Sequence, residues 1–153
     1  MDLEFKMGRL TDAREAWELV QGSTLDDNSL YFYLVMFSYF KKYAAVIRDR
    51  DNNNELVGFI CGFAPEEDTY FCWQVGVNPQ YRGQKIASRV LDYVTKDRFS
   101  NVQATVTPSN IPSTKLFEGY SKKRDMDVKK KEFFPKELFK GLEHEEEILF
   151  DIK

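Results

Sequence analysis

Apolar and charged positions alternate from the start of the chain. Leu3, Phe5 and Met7 stand between Glu4 and Lys6, the period of a half-buried strand. The period then becomes helical: Ala13, Ala16, Trp17 and Val20 share one face, with Thr11 as the expected cap and Gly22 as the terminator. Asp26-Asp27-Asn28-Ser29 reads as a turn before residues 30–40, which are apolar almost all round and predict a helix buried on most sides. Residues 44–48 and 56–63 flank the polar cluster Asp51-Asn52-Asn53-Asn54 and predict a hairpin. The nearly continuous apolar, β-rich run over 69–77 predicts a central strand covered on both faces.

From Arg82 to Lys96 the positions Ile86, Ala87, Val90, Leu91 and Val94 return to helical spacing. Val102, Ala104 and Val106 then alternate with Gln103, Thr105 and Thr107, so a strand, helix, strand unit is expected. Pro108-Ser109-Asn110 opens a further helix carrying Leu116 and Phe117, with Ser109 or Asn110 as its cap. The lysine-dense stretch 122–131 predicts an exposed connection or a weak edge strand. Ile148, Phe150 and Ile152 make a closing strand.

The chain has 153 residues, enough for one core, and is read as a single domain over 1–153. Its 13 Phe and 8 Tyr within a 42% hydrophobic composition point to an aromatic-rich interior and argue against disorder. A net charge of -3 and a pI near 5.3 give no basic footprint for nucleic acid. No secretory leader or membrane-length apolar run stands in the sequence, so a cytoplasmic protein without a membrane partner is expected. Cys61 and Cys72 are read as buried reduced thiols.

Asn78-Pro79-Gln80-Tyr81-Arg82-Gly83-Gln84-Lys85-Ile86-Ala87 lies between a buried strand and an amphipathic helix. A helix N-terminus there offers unpaired N–H groups and partial positive charge to a pyrophosphate, and Gly83 permits close approach of the backbone. On pattern alone an ordinary turn is an equal reading. Gln80 to Lys85, however, resembles the Q/R-x-x-G-x-G/A signature of Gcn5-related N-acetyltransferases (GNAT), and Ile86-Ala87 also fits that family. The resemblance implies an α+β mixed fold: a central, mostly antiparallel twisted sheet of six to seven strands, helices on both faces, and a splay between the fourth and fifth strands near 73–77 and 102–106. It implies acetyl-CoA as co-substrate and no metal. Backbone groups of Val75 and Val77 would hold the pantetheine arm, and Gln80, Arg82, Gly83, Gln84, Lys85, Ile86 and Ala87 the pyrophosphate.

Two positions depart from the family pattern. Lys85 replaces the final Gly or Ala of the signature. Asn110, Ser113, Leu116 and Phe117 resemble the N-x-x-A-x-x-L-Y helix motif, in which Asn110 would bond the pantetheine, but Phe117 cannot serve as the usual tyrosine acid.

Several blocks in order along the chain resemble one branch, the L-2,4-diaminobutyrate acetyltransferases. They are Thr24 to Tyr31 with Tyr33-Leu34, Trp73-Gln74-Val75, Thr105 to Asn110, Phe134 to Phe139, and His144 to Glu147. That substrate is a small zwitterion with a second ammonium group, so its pocket needs carboxylates and hydrogen-bond donors. The resemblance implies Asp26 and Glu147 as ammonium partners, Tyr31 as a hydroxyl donor, Trp73 as an apolar or cation-π wall and His144 as donor or proton relay. Glu147, His144 and Asp26 are therefore the catalytic candidates, and Asp26, Tyr31, Trp73, His144 and Glu147 the substrate contacts. Each also has a structural reading: Asp26 as a helix cap, Trp73 as core, His144 as a loop residue and Glu145 to Glu147 as a solvated acidic run. The resemblance implies acetylation of the γ-amine in ectoine biosynthesis, and a homodimer. Two alternatives stay open: a GNAT enzyme for another small amine, and an inactive acyl-CoA-binding module.

Overall fold

The computed structural model describes residues 1–23, 25 and 27–153. Seven strands form one sheet: β1 (Leu3–Met7), β2 (Ala45–Asp49), β3 (Glu55–Glu66), β4 (Thr69–Val77), β5 (Asn101–Val106), β6 (Val128–Phe134) and β7 (Glu147–Ile152), in the order β1-β2-β3-β4-β5-β7-β6. All neighbours are antiparallel except β4 and β5. Helices α1 (Ala13–Gln21) and α2 (Leu30–Met36) cover one face, and α3 (Ile86–Thr95) and α4 (Ile111–Lys123) the other. The α+β reading with a mostly antiparallel sheet agrees with this architecture. The closing strand β7 inserts between β5 and β6, so the lysine-rich β6 lies at the sheet edge, where solvent hydrates its charges.

Two features of β4 position the site. Its parallel ladder with β5 runs only through Thr69–Asn101, Tyr70–Val102 and Phe71–Gln103. Beyond Phe71 the strands separate, and the backbone edge of β4 from Cys72 to Val77 has no strand partner on that side. This is the expected splay, although Val102 and Gln103 belong to the closed end. The second feature is a bulge against β3, where Gln74 faces Cys61 and Cys72 faces Gly62, leaving Trp73 as the extra residue. Gly62 is required there, since a Cβ would overlap the Phe71 carbonyl oxygen. The bulge resets the alternation of the strand. Tyr70, Cys72, Val75 and Val77 all pack with the α3/α4 core, whereas Gln74 bonds to Tyr33 in the α1/α2 core.

The structure corrects four sequence expectations. The first helix starts at Ala13, after a 3-10 turn over Leu10–Asp12, and Thr11 does not cap it. Asp12 takes part instead: one carboxylate oxygen accepts from Arg9 N at 2.9 Å and the other from Arg48 Nη2 at 2.7 Å, while Arg48 also reaches Glu15 at 2.8 Å. The second helix is shorter than 30–40, because the Ser38 hydroxyl bonds back to the Leu34 carbonyl at 2.6 Å and the chain turns. Nor is it buried on most sides: Tyr33 and Met36 are buried, but Tyr31 is 74% exposed. The third helix starts at Ile86, leaving Arg82 to Lys85 as loop. Finally, β4 is central but not covered throughout, since Trp73 at its open end is 38% exposed.

Cys61 and Cys72 are free and buried, as expected. Burial pushes the Cys72 thiol up to about 12 and raises Cys61 and Tyr70 as well; Tyr33 is held up at about 12. These groups stay neutral when folded but ionise near 9 to 10 once unfolded, so each favours the unfolded chain as pH rises. Thermal stability should therefore fall between pH 8.5 and roughly 11, as measured by circular dichroism melts at fixed ionic strength.

Candidate active site

The loop between β4 and α3 is built by local bonds. Asn78 Oδ1 accepts from Gln80 N at 2.9 Å and starts a 3-10 turn over Pro79–Tyr81. Tyr81 is buried and anchors the loop: its hydroxyl donates to Asp49 Oδ2 at 2.7 Å, which holds that carboxyl below the usual range. Gly83 follows at φ +87°, a conformation L side chains rarely adopt. Lys85, the N-cap of α3, is left-handed at φ 56°, ψ 34°. Where the signature has Gly or Ala, Lys85 thus holds a left-handed conformation that costs an L residue roughly 1–2 kcal/mol.

The first hydrogen bond of α3 links Arg89 N to Lys85 O at 2.9 Å, so the N–H groups of Ile86, Ala87 and Ser88 lie at the open end of the helix. Ile86 itself is buried, and what it can offer a ligand is its backbone N–H. Arg82, Gly83, Gln84 and Lys85 are exposed around this end. Amide donors, the positive helix end and two nearby cations suit a pyrophosphate.

Across the splay, Asn110 caps α4, its Oδ1 accepting from Ser113 N at 3.1 Å; the amide nitrogen keeps its donors. Phe117 is buried with its ring 6.3 Å from that of Phe150. Tyr120 does not replace the missing acid, because it is 2% exposed and its hydroxyl lies 2.9 Å from Thr95 Oγ1.

The described amine-side candidates lie on α2, on the bulge of β4 and in the segment that leads into β7. Glu147 begins β7, and its Oε1 accepts from Thr105 Oγ1 of β5 at 3.0 Å. Trp73 protrudes from the bulge with its ring centroid 4.3 Å from that of Phe32 on α2. Tyr31 is exposed on the first turn of α2. His144 stacks on Phe139, with centroids 4.0 Å apart and an interplanar angle of 11°. Its Nδ1 lies 2.5 Å from the Glu145 carbonyl oxygen, which can only accept, so Nδ1 carries a proton there. Asp26 lies outside the described residues.

Sequence reasoning missed two supports. Alternation predicts for Thr105 only the polar position of a strand, yet it orients Glu147. The acidic run predicts a solvated Glu145, yet its carboxylate holds both the backbone N–H and the hydroxyl of Ser109. That contact ties the segment carrying His144 and Glu147 to the cap of α4. The signal was present only as polar residues at the ends of paired strands. A separate hollow of about 640 Å³, lined by Met7, Gly8, Arg9, Lys41, Lys42 and Arg98, lies beyond the far end of α3 and takes no part in this arrangement.

The profile of the "Acetyltransferase (GNAT) family" matches residues 12–120. The L-2,4-diaminobutyric acid acetyltransferase of Marinococcus halophilus is 43% identical, over 97% of this chain and 88% of that protein. Its counterpart from Halalkalibacterium halodurans is 39% identical, over 99% and 83%. Among solved structures, diaminobutyrate acetyltransferase EctA from Paenibacillus lautus, in complex with L-2,4-diaminobutyric acid and coenzyme A, superposes with a TM-score of 0.90 at 30% identity, over 99% of this chain and 94% of that one.

The left-handed Lys85 provides a direct check on the loop. Lys85→Gly should hold or raise stability by up to about 1 kcal/mol, whereas the β-branched Lys85→Val should lower it by at least that much, as read by denaturant unfolding.

Proposed function

The chain belongs to the acetyltransferase (GNAT) family and, within it, to the L-2,4-diaminobutyrate acetyltransferases, and on that basis we propose that it moves the acetyl group of acetyl-CoA to the γ-amine of L-2,4-diaminobutyrate. The observation that carries the substrate assignment is that the likeness runs the length of the chain and is not confined to the pyrophosphate loop. The product is the N-γ-acetyl precursor of ectoine, a compatible solute, which places the reaction in osmoadaptation.

The residues divide the work between the two faces of the opening. The N–H groups at the start of α3, with Arg82 and Lys85, hold the pyrophosphate, and Gln80, Gly83, Gln84 and Ala87 shape the loop around it. The unpartnered edge of β4, with Val75 and Val77, holds the pantetheine arm beside Asn110. On the other face Glu147 binds an ammonium group, Tyr31 donates to the carboxylate, and Trp73 lines the aliphatic chain, with Asp26 as the second ammonium partner. The side-chain ammonium has a pKa near 10 and must lose a proton before it attacks the thioester. Glu147, aimed by Thr105, or Nε2 of His144 takes that proton, and a backbone N–H near Val75 stabilises the oxyanion. With phenylalanine at 117 the thiolate leaves without a tyrosine acid, which its low basicity permits.

Residues 1–153 act as one catalytic domain in this reading. Among the described residues no helix is long and apolar enough to cross a membrane, and we place the reaction in the cytoplasm, where acetyl-CoA is available. A homodimer fits the exposed apolar side chains near edge strand β6: Phe133 and Phe134 on the strand, and Leu138 and Leu142 in the segment after it.

Thiol release from acetyl-CoA should be strong with diaminobutyrate and weak with ornithine, lysine and spermidine, with NMR placing the acetyl group on the γ-nitrogen. Glu147→Gln should lower kcat/KM for the amine by about 10²-fold or more, and Thr105→Val by about tenfold, with KM for acetyl-CoA unchanged. Release with another amine and none with diaminobutyrate would overturn the substrate and keep the family.

A further inference from the structure

Trp73 protrudes from a bulge, and a bulged, partly exposed strand end without a β5 partner does not hold a ring in place by itself. Its orientation must come from what lies behind it. The bulge turns Trp73 and Gln74, which would otherwise point to opposite faces, toward the α1/α2 side together. There they meet two consecutive residues of α2. Phe32 packs on Trp73 at 4.3 Å between centroids, and Tyr33 donates its hydroxyl to Gln74 Oε1 at 2.6 Å. Tyr33 is fully buried and Gln74 is 8% exposed, so this hydrogen bond joins elements 41 residues apart in the absence of competing water. Burial keeps the phenol protonated, so it remains a donor throughout the working pH range. Asn28, in the segment that leads into α2, also bonds to this hydroxyl.

We propose that Tyr33, through its buried hydrogen bond to Gln74, is a positioning residue for the amine, locking the bulge of β4 to α2 so that the Trp73 ring stands at a fixed distance from the opening between β4 and β5. Phe32 and Tyr33 grip the bulge side by side, one by ring packing and one by hydrogen bonding, and neither has to touch the substrate. This rests on the reading of Trp73 as a wall of the amine site.

The test compares Tyr33→Phe, Gln74→Met and the double variant in the full chain. Each is assayed for KM of the amine, KM of acetyl-CoA, kcat and Tm, with the amine that the unmodified protein uses best. In a parallel Trp17→Phe background, acrylamide quenching reads Trp73 alone. Tyr33→Phe should raise KM for the amine about tenfold, leave KM for acetyl-CoA unchanged and increase quenching of Trp73. Gln74→Met should do the same, and the double variant should fall short of the sum of the two singles, because both remove the shared Tyr33–Gln74 bond. An unchanged KM for the amine, equal rises in both KM values that follow a loss of Tm, or additive single effects would overturn the proposal. Should Tyr33→Phe fail to fold, Gln74→Met decides by the same criteria. Because quenching needs no substrate, a change in quenching without any use of diaminobutyrate would support the latch while removing the substrate assignment.

Discussion

The rest of the molecule depends on the place where β4 leaves β5. After three paired positions the parallel ladder stops, and an opened sheet exposes backbone N–H and C=O groups that would otherwise be satisfied within the ladder. Such an edge is costly in a core and useful at a site, because an extended amide-bearing ligand can complete it. The opening has a different chemistry on each face. Toward α3 it meets a helix N-terminus and exposed cations, and toward α2 it meets aromatic rings and a carboxylate. An anionic carrier and a cationic acceptor can therefore approach one point from opposite sides.

Keeping the sheet open requires it to be held elsewhere. The bulge at Trp73 bends β4 and is accommodated by Gly62, the residue opposite, whose lack of a side chain leaves room for the Phe71 carbonyl. Beyond the gap, β7 pairs with both β5 and β6 and keeps that half of the sheet rigid. Glu147 and Glu145 then reach back from the start of β7 to Thr105 and Ser109. These bonds span the opened end of β5, so the acidic run that looks solvated in the sequence is a set of fasteners. The buried Arg48, paired with Asp12 and Glu15, does equivalent work between β2 and the start of α1.

Much of the fold was legible because the underlying cause is local. Alternation at Leu3, Phe5 and Met7 or at Val102, Ala104 and Val106 follows from a two-residue period, and the spacing of Ile86, Val90, Leu91 and Val94 from a helical one. All of these became the elements they predicted. The reading failed where a side chain competed with the backbone, as Ser38 does in ending α2 early, or where charge and distance decided, as Asp12 does in serving Arg9 and Arg48 while Thr11 stands in the turn before the helix. The loop from Asn78 to Ala87 was legible as a turn before a helix because glycine and a helix start are local signals, yet the left-handed backbone of Lys85 is not one that its side chain announces.

The sequence by itself determined the periodicities, the turn before α3 and the ordered blocks that mark the family, since each depends on residues close together in the chain. Only the tertiary structure decided which face each part of β4 presents, that β7 lies between β5 and β6, that Thr105 holds Glu147 and that Tyr33 holds Gln74. Those contacts join residues about forty positions apart, through registers that a single bulge shifts by one residue and so turns to the opposite face. No local pattern encodes such a shift, because its cause is the packing of the whole sheet.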